Sequence, residues 1–253
     1  MSTNGKPIAI LMYHQIDAVP PKGSPLRGLV VAPRTFYFHM AVMWLLGYRG
    51  LSMSDLEPYL QGRKAGKVFG ITFDDGYLNN LRHALPVLKR FGFTSTCYVV
   101  SGLLGKTNVW DAGHGIAQVP LMDSADLLEW VGAGQEVGSH TQTHANLPHL
   151  DGVQRTLEVT GSRVALEAIV SQPGGVRHFC YPYGATNVDT VEAARAGGYT
   201  TATTTARGRI LPGAPFDMLR LPRVLVSRTT TSLHLLLKCF TRYEDKRAAA
   251  PDA

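Results

Sequence analysis

Short apolar runs alternate with longer amphipathic stretches along the chain. The short runs are rich in β-branched or aromatic side chains and are bounded by Gly, Pro or polar residues, which predicts buried strands over residues 8–13, 68–73, 95–100, 136–138, 178–181, 200–204 and 221–225. Apolar residues at helical spacing predict helices over residues 35–46, 125–133, 153–170 and 188–196. Ser124 is the expected cap of the second helix, and Pro86 is expected to kink a helix that begins near Leu78.

This alternation of strands and helices is typical of parallel pairing. Six or seven such units in 253 residues fit a closed barrel better than an open nucleotide-binding sheet. We therefore predict an α/β fold, a distorted (β/α) barrel of six or seven parallel strands. It would form a single domain over residues 1–253 with a short flexible tail from about residue 244. A doubly wound open sheet is the alternative.

Composition and charge narrow the class of protein. With 45% hydrophobic and 17% charged residues, the chain has the composition of a folded globular protein and not of a disordered or fibrous one. Its net charge of +6 allows peripheral contact with anionic surfaces, but the basic residues are scattered, so we expect no nucleic-acid partner. No apolar run resembles a signal peptide or the roughly 18 residues of a membrane span, and we expect a cytoplasmic protein that does not span a membrane.

The three cysteines, Cys97, Cys180 and Cys239, are widely spaced and form no CxxC pair. This pattern argues against a disulfide framework and against a thiolate zinc site. We expect reduced thiols that contribute to packing.

Polar residues of types that act as catalytic groups or metal ligands follow several of the predicted strands. His14 follows the first strand, Asp74 and Asp75 follow the second, and His140 and His144 follow the fourth. In parallel α/β folds the carboxyl ends of the strands share one edge, which is where active sites are found. We therefore expect these side chains to meet at one rim of the barrel.

Asp75, His140 and His144 would offer one carboxylate and two imidazoles to a metal ion. This donor set suits Zn²⁺, with Co²⁺ or Ni²⁺ as alternatives, and three protein ligands leave an open position, as in catalytic metal sites. The adjacent Asp74 would remain free to act as a base. Taken singly, the Asp-Asp-Gly run also reads as a simple turn, and the histidine pair as surface or capping residues.

Three segments resemble the first three motifs of the polysaccharide deacetylases, the NodB-homology domain or carbohydrate esterase family four. They are residues 72–76 (TFDDG), 139–144 (SHTQTH) and 181–184 (YPYG). The resemblance extends over about residues 7–237. It implies a distorted (β/α) barrel that removes acetyl groups from N-acetylated sugars with a divalent metal, often zinc.

The resemblance also assigns roles to individual residues. It makes Asp74 the general base, makes Asp75, His140 and His144 the metal ligands, and makes the backbone N–H of Tyr183 an oxyanion donor. Arg223, in the run LPRV, is similar to a family position that orients the base, although a solvated surface arginine is the alternative.

Two departures from the family pattern concern the third motif and the general acid. Cys180 stands where the family commonly has arginine, and the late Leu-x-His motif is only echoed by Leu233 and His234. The branch with poly-N-acetylglucosamine deacetylases opens instead with a strand that ends in Tyr-His and supplies the acid, and residues 12–14 (MYH) resemble it. We therefore favour His14 over His234 as the acid, with a hydrogen-bonded structural histidine as the alternative for His14.

These observations predict a metal-dependent hydrolase that removes acetyl groups from N-acetylated sugars in a polysaccharide or glycan precursor. The expected partner is thus a carbohydrate. Two alternatives remain open: a deacylase acting on an O-acetyl ester, a formamide of a lipid-linked sugar or a cyclic amide, and a non-catalytic carbohydrate-binding barrel.

Overall fold

Seven parallel strands close into a barrel in the computed structural model, which describes residues 5–247. The strands of the described chain are β1 (Ile10–Tyr13), β2 (Gln15–Ile16), β3 (Val30–Val31), β4 (Arg49–Leu51), β5 (Val68–Phe73), β6 (Thr96–Val99), β7 (Glu136–Ser139), β8 (His178–Cys180), β9 (Thr201–Arg207) and β10 (Leu221–Leu225). The order around the barrel is β1-β10-β9-β8-β7-β6-β5, and β5 pairs back onto β1. The predicted closed barrel is confirmed, and the open sheet is excluded.

The distortion lies at β4 and at the small β2–β3 pair. β4 joins only the first half of β5, while the second half of β5 pairs with β6. β2 and β3 form a separate parallel pair that follows His14 and begins the walls around the rim. Neither β4 nor this pair was predicted, because strands of two or three residues leave no periodic signal.

Helices cover the outside of the barrel. They are α1 (Pro33–Leu45), α2 (Met53–Leu60), α3 (Leu85–Phe91), α4 (Ser124–Gly132), α5 (Gly152–Thr156), α6 (Ser162–Glu167), α7 (Val188–Ala196) and α8 (Ser232–Phe240). The N-cap of α4 is Asp123 and not Ser124 as predicted, because Asp123 accepts from the Asp126 N–H and forms a reciprocal capping box. The predicted helix over 153–170 is interrupted at residues 157–161 by a π turn.

A second π turn lies near Pro86, where the sequence predicts a kink. It covers residues 80–84 and leads into α3, with Pro86 at the second helical position. Proline is tolerated there because the first-turn N–H groups have no partner within the helix. The turn also brings Asn80 under the end of β1, a contact that bears on the site.

Period-two alternation along the strands decides which side chains face the barrel interior. Ile10, Tyr98 and Leu221 belong to one buried cluster inside the barrel, whereas Leu11 and Phe73 pack outward against helical residues such as Phe36 of α1 and Trp130 of α4. Along each strand, every second residue faces the barrel interior. Near the carboxyl end of the strands these inward positions are polar, and they are His14, Asp74, His140 and Arg223.

The C-terminal segment packs beyond the boundary predicted near residue 244. Glu244 is fully buried and pairs with Lys238 of α8, and Asp245 pairs with Arg209 at 2.6 Å. Packing therefore does not end at residue 244, and the remainder of the predicted tail, residues 248–253, lies outside the described residues. Within residues 5–247, no helix is both long and apolar enough to cross a membrane.

Candidate active site

Three predicted metal ligands converge at the carboxyl end of the strands. The ligand atoms of Asp75, His140 and His144 lie within 4.8 Å of one another, and all three side chains are buried. Each histidine Nε2 is 3.4 Å from the same oxygen, Oδ1 of Asp75. Two bonds of about 2.0–2.1 Å meeting at a tetrahedral metal would separate their ligand atoms by roughly this distance. The donor set therefore fits a divalent cation.

The orientation of His140 supports the same assignment. Its Nδ1 donates to the carbonyl oxygen of Cys180 at 2.7 Å, which leaves the Nε2 lone pair directed at Asp75. Metal-binding histidines commonly have their second nitrogen fixed in this way. Burial lowers the pKa of His144, whereas contacts with Cys180 and Asp75 outweigh burial and raise the pKa of His140, so metal binding there would release a proton.

Strained backbone brings the ligands onto the rim. Asp75 follows Asp74 directly, so a regular strand would point the two carboxyl groups to opposite faces. At Asp75 the chain instead adopts a left-handed φ of 75°, which ends β5 and turns both carboxyl groups toward the site. His144 and Tyr183 also have positive φ, at 62° and 60°. Such strain, about 1–3 kcal/mol per residue, is characteristic of functional sites.

Asp74 is held by a buried arginine. Nη1 of Arg223 donates to Oδ1 of Asp74 at 2.6 Å and Nη2 donates to Oδ2 at 2.7 Å, and the arginine has no exposed surface. The surface reading of Arg223 is therefore wrong. Burial by itself would raise the pKa of Asp74, but the charge and hydrogen bonds of Arg223 outweigh it and lower that pKa.

The remaining donors of Arg223 are also used. Nε donates to the Thr204 carbonyl at 2.9 Å, Nη1 to the Thr72 hydroxyl at 3.1 Å, and Nη2 to the sulfur of Cys180 at 3.2 Å. All five N–H groups of the guanidinium thus have acceptors. Cys180, which stands at the arginine position of the family motif, is buried against Arg223, in keeping with the packing role expected for it.

His14 lies beside Asp74 on the same rim. Its Nε2 is 3.9 Å from Oδ2 of Asp74, too far for a direct hydrogen bond but close enough for a water or substrate atom to bridge. Its Nδ1 is buried without a hydrogen-bond partner, so the reading as a hydrogen-bonded structural histidine has no support.

The other candidate acid, His234, lies elsewhere. It is on α8 with its ring 5.2 Å from that of Tyr243, and it does not line the cavity that contains Asp74 and Asp75. Tyr183 does line this cavity, and its ring packs edge-on against His144 at 4.6 Å.

Two further residues hold the backbone around the site and were not identified from the sequence. Asn80 is fully buried and holds the end of β1, donating to the carbonyl of His14 at 2.7 Å and accepting from the N–H of Ile16 at 3.1 Å. Glu158 accepts from the N–H groups of Gln142 and Thr143 at 2.8 and 3.0 Å, between the two histidines. Both residues lie in π turns, which are common at functional sites.

The cavity over this rim has a volume of about 300 Å³ and largely apolar walls. One wall comes from the segment with Pro20, Leu26 and Leu29, and the other from the segment with Trp110 and Val119. Within the described chain, no lysine or arginine lines it.

The fold and the site together define a (β/α)-barrel protein with an Asp-His-His set of metal-ligand type at the carboxyl end of its strands. Comparison with known proteins gives the family. The family model described as polysaccharide deacetylase matches residues 61–202. The chain belongs to the polysaccharide deacetylase family, as its motifs predicted.

Individual relatives agree with this assignment. The putative polysaccharide deacetylase YxkH of Bacillus subtilis is 30% identical over 203 residues, which are 79% of this chain and 65% of that protein. The poly-β-1,6-N-acetyl-D-glucosamine N-deacetylase of Staphylococcus epidermidis is 24% identical over 83% of this chain and 72% of its own length. The chain thus spans slightly less than two thirds of YxkH.

A solved structure is similar over nearly the whole chain. The Streptococcus pyogenes deacetylase PplD, in complex with acetate, has a TM-score of 0.80 and 26% identity, and the match covers 93% of this chain and 99% of that one. This agreement supports the barrel topology on which the site depends.

Proposed function

We propose that this protein is a divalent-metal-dependent hydrolase that removes acetyl groups from N-acetylated sugars in a glycan. The observation that carries the proposal is the Asp75, His140 and His144 cluster beside a carboxylate, Asp74, that is held ready by Arg223. Family membership and the relative from S. epidermidis support an N-acetylglucosamine polymer or oligomer as the substrate.

Zinc is the metal that we propose for the Asp75, His140 and His144 set, and Co²⁺ or Ni²⁺ suits the same donors. A cation held there would polarise the acetyl carbonyl and lower the pKa of a nearby water molecule. His140 would contribute through Nε2, because its Nδ1 is committed to the carbonyl of Cys180.

Asp74 is the proposed general base. Its lowered pKa keeps it ionised at neutral pH, and both of its oxygens retain a lone pair that Arg223 does not occupy. It can therefore take a proton from the attacking water. Because Arg223 fixes the carboxylate in one orientation, little rearrangement is needed for the transfer.

His14 and Tyr183 are the proposed partners in the later part of the reaction. The backbone N–H of Tyr183 would stabilise the oxyanion that forms when water adds to the carbonyl. His14 would give a proton to the departing amine, a step that amides require because an unprotonated amide anion leaves poorly. Both residues line the cavity with Asp74, which supports this division of roles.

The electrostatics of the cavity favour an uncharged sugar. Asp74, Asp75 and Asp111 contribute carboxylates, while among the described residues no lysine or arginine lines the cavity. No lysine or arginine is therefore available there to pair with a phosphate or carboxylate on the reacting sugar, whereas an acetamido group would face apolar walls and the reacting groups.

The test is acetate release from a series of N-acetylglucosamine oligomers by protein stripped of metal and then reloaded with Zn²⁺, Co²⁺ or Ni²⁺. We expect release only from the reloaded protein and not from a reloaded His140→Ala variant. Equal release from stripped and reloaded protein would refute metal dependence, and failure of fully reloaded protein to release acetate from any of the oligomers would refute the substrate class.

A further inference from the structure

The two imidazoles of the cluster are held in different ways. His140 is fixed by the hydrogen bond from its Nδ1 to the Cys180 carbonyl. Nδ1 of His144 is also buried, but it has no hydrogen-bond partner. Since metal-binding histidines almost always donate their second N–H, some other contact must set the ring plane of His144.

That contact is Trp110. Its ring lies almost parallel to the His144 ring, at 4.5 Å between centroids and an interplanar angle of 21°. Tyr183 and His140 meet the same imidazole at steep angles of 75° and 73°. Trp110 is therefore the one of these three rings that stacks on His144, while the other two meet it at a steep angle.

A firmly anchored turn presents Trp110 to the site. The turn at Val109–Asp111 follows Asn108, which is almost completely buried. The Asn108 side chain donates to Asp111 at 3.0 Å and to the carbonyl of Ala117 at 3.2 Å, and it accepts from the N–H of Val119 at 2.6 Å. The segment that carries the tryptophan is thus held by hydrogen bonds of its own.

We propose that Trp110 is a positioning residue for the metal centre: by stacking on His144 it replaces the missing hydrogen bond and holds Nε2 toward Asp75. This proposal rests on the metal site proposed above. Stacking also acts on charge, because an imidazole that binds a cation becomes partly positive and the electron-rich face of an indole attracts it. The contact therefore stabilises the metal-loaded state more than the empty one.

The test measures metal binding directly, without activity. Apoprotein is titrated with Zn²⁺ against a chromophoric chelator, and the Co²⁺-loaded protein is examined by visible absorption. The variants are Trp110→Leu, which keeps apolar bulk but removes the aromatic face, and Trp110→Phe, which retains a smaller face. The matched control is Trp44→Leu, because Trp44 is a half-exposed tryptophan on α1 away from the cavity.

We expect Trp110→Leu to weaken Zn²⁺ binding about tenfold and to change the Co²⁺ spectrum. Trp110→Phe should recover most of the affinity, and Trp44→Leu should bind normally. Unchanged affinity and spectrum in Trp110→Leu would overturn the role of Trp110, as would a loss only in the melting temperature of the apoprotein. If the unmodified protein binds no divalent cation, the metal site itself is refuted, which is a different failure. Should Trp110→Leu not fold, the same comparison is made between Trp110→Met and Trp110→Phe.

Discussion

Arg223 and Asp74 form a two-pronged ion pair that joins the last strand of the barrel to the end of β5. Both contacts are short, 2.6 and 2.7 Å, and the arginine is wholly buried. A guanidinium suits this position because its planar fork matches the carboxylate and its remaining N–H groups reach three further acceptors. A lysine ammonium can reproduce neither feature.

We therefore predict that Arg223→Lys changes the pH dependence of turnover. Arg223 lowers the pKa of Asp74, so its replacement by a less complementary cation lets that pKa rise. Since the base must be ionised, activity in the variant should be lost at a higher pH on the acidic side. A pH profile of turnover measures this shift, with Arg209→Lys as a control, because Arg209 is another well-buried, ion-paired arginine outside the site. If the acidic limb of the profile lies at the same pH in Arg223→Lys and in the unmodified protein, Arg223 does not set the pKa of Asp74.

Metal content should separate the two adjacent aspartates. Asp75→Asn, His140→Ala and His144→Ala each remove one of three ligands, so metal and activity should be lost together. Asp74→Asn should retain the metal and lose about 10²- to 10⁴-fold in turnover, as expected for a general base.

Elemental analysis of the purified variants, combined with acetate release, checks this prediction. His149→Ala serves as a control, because His149 is exposed and lies outside the cluster. Full metal occupancy in all three ligand variants would refute the assignment. Near-normal turnover in Asp74→Asn would show that Asp74 is not the base.

The choice between His14 and His234 as the acid can be decided by the leaving group. His14→Ala should slow hydrolysis of an amide far more than hydrolysis of an activated ester, since the ester leaving group needs no proton. His234→Ala should affect both substrates mildly and equally, because His234 lies on α8 and outside the cavity. Rates with both substrates give the answer, and selective loss of amide hydrolysis in His234→Ala would reverse the choice.

His39 should make the fold sensitive to acid. It is fully buried, its Nε2 donates to the Thr230 carbonyl at 2.8 Å, and its Nδ1 accepts from the Tyr13 hydroxyl at 3.0 Å. Burial lowers its pKa from 6.5 to about 4. Below pH 6.5 His39 is protonated in the unfolded chain, whereas in the folded chain it is protonated only near pH 4. The free energy of unfolding therefore falls between these two pH values, by about 3 kcal/mol in total.

Urea unfolding at pH 7 and pH 4.5 measures this loss. We expect His39→Gln to be less stable than the unmodified protein at pH 7 and to lose less stability on acidification. His114→Gln is the control, because His114 is exposed on a loop. If His39→Gln loses as much stability as the unmodified protein, the acid sensitivity arises from other groups.

The parts of the molecule that were well predicted from the sequence are those where a candidate catalytic or metal-ligating residue directly follows a strand. Apolar alternation gives β1 and β5 their faces, and the next inward positions are His14 and Asp74. His140 arises in the same way from β7, whereas Arg223 lies within β10 and was assigned only through the resemblance to the family. Strand pattern and strand-end residue types therefore predict most of the candidate site.

Contacts between distant segments were not predictable in this way. Glu158 braces the loop between His140 and His144 because a π turn rotates it there, and apolar periodicity carries no sign of such a turn. The sequence pattern gave no role to Trp110, because its stacking on His144 depends on the path of an irregular segment. The N-cap of α4 was predicted as Ser124 but is Asp123. Both residue types are good N-caps, and only the backbone geometry decides between these neighbours.

The closure of the barrel has a consequence for biosynthesis. β1 is made first, yet in the finished barrel it lies between β5 and β10, and β10 supplies Arg223 some 149 residues after Asp74. A nascent chain therefore holds both aspartates and all three histidines of the site well before the arginine that organises the base leaves the ribosome. The proposed hydrolytic activity should then appear abruptly, when the final strand enters its place, so that unfinished or prematurely terminated chains remain inert.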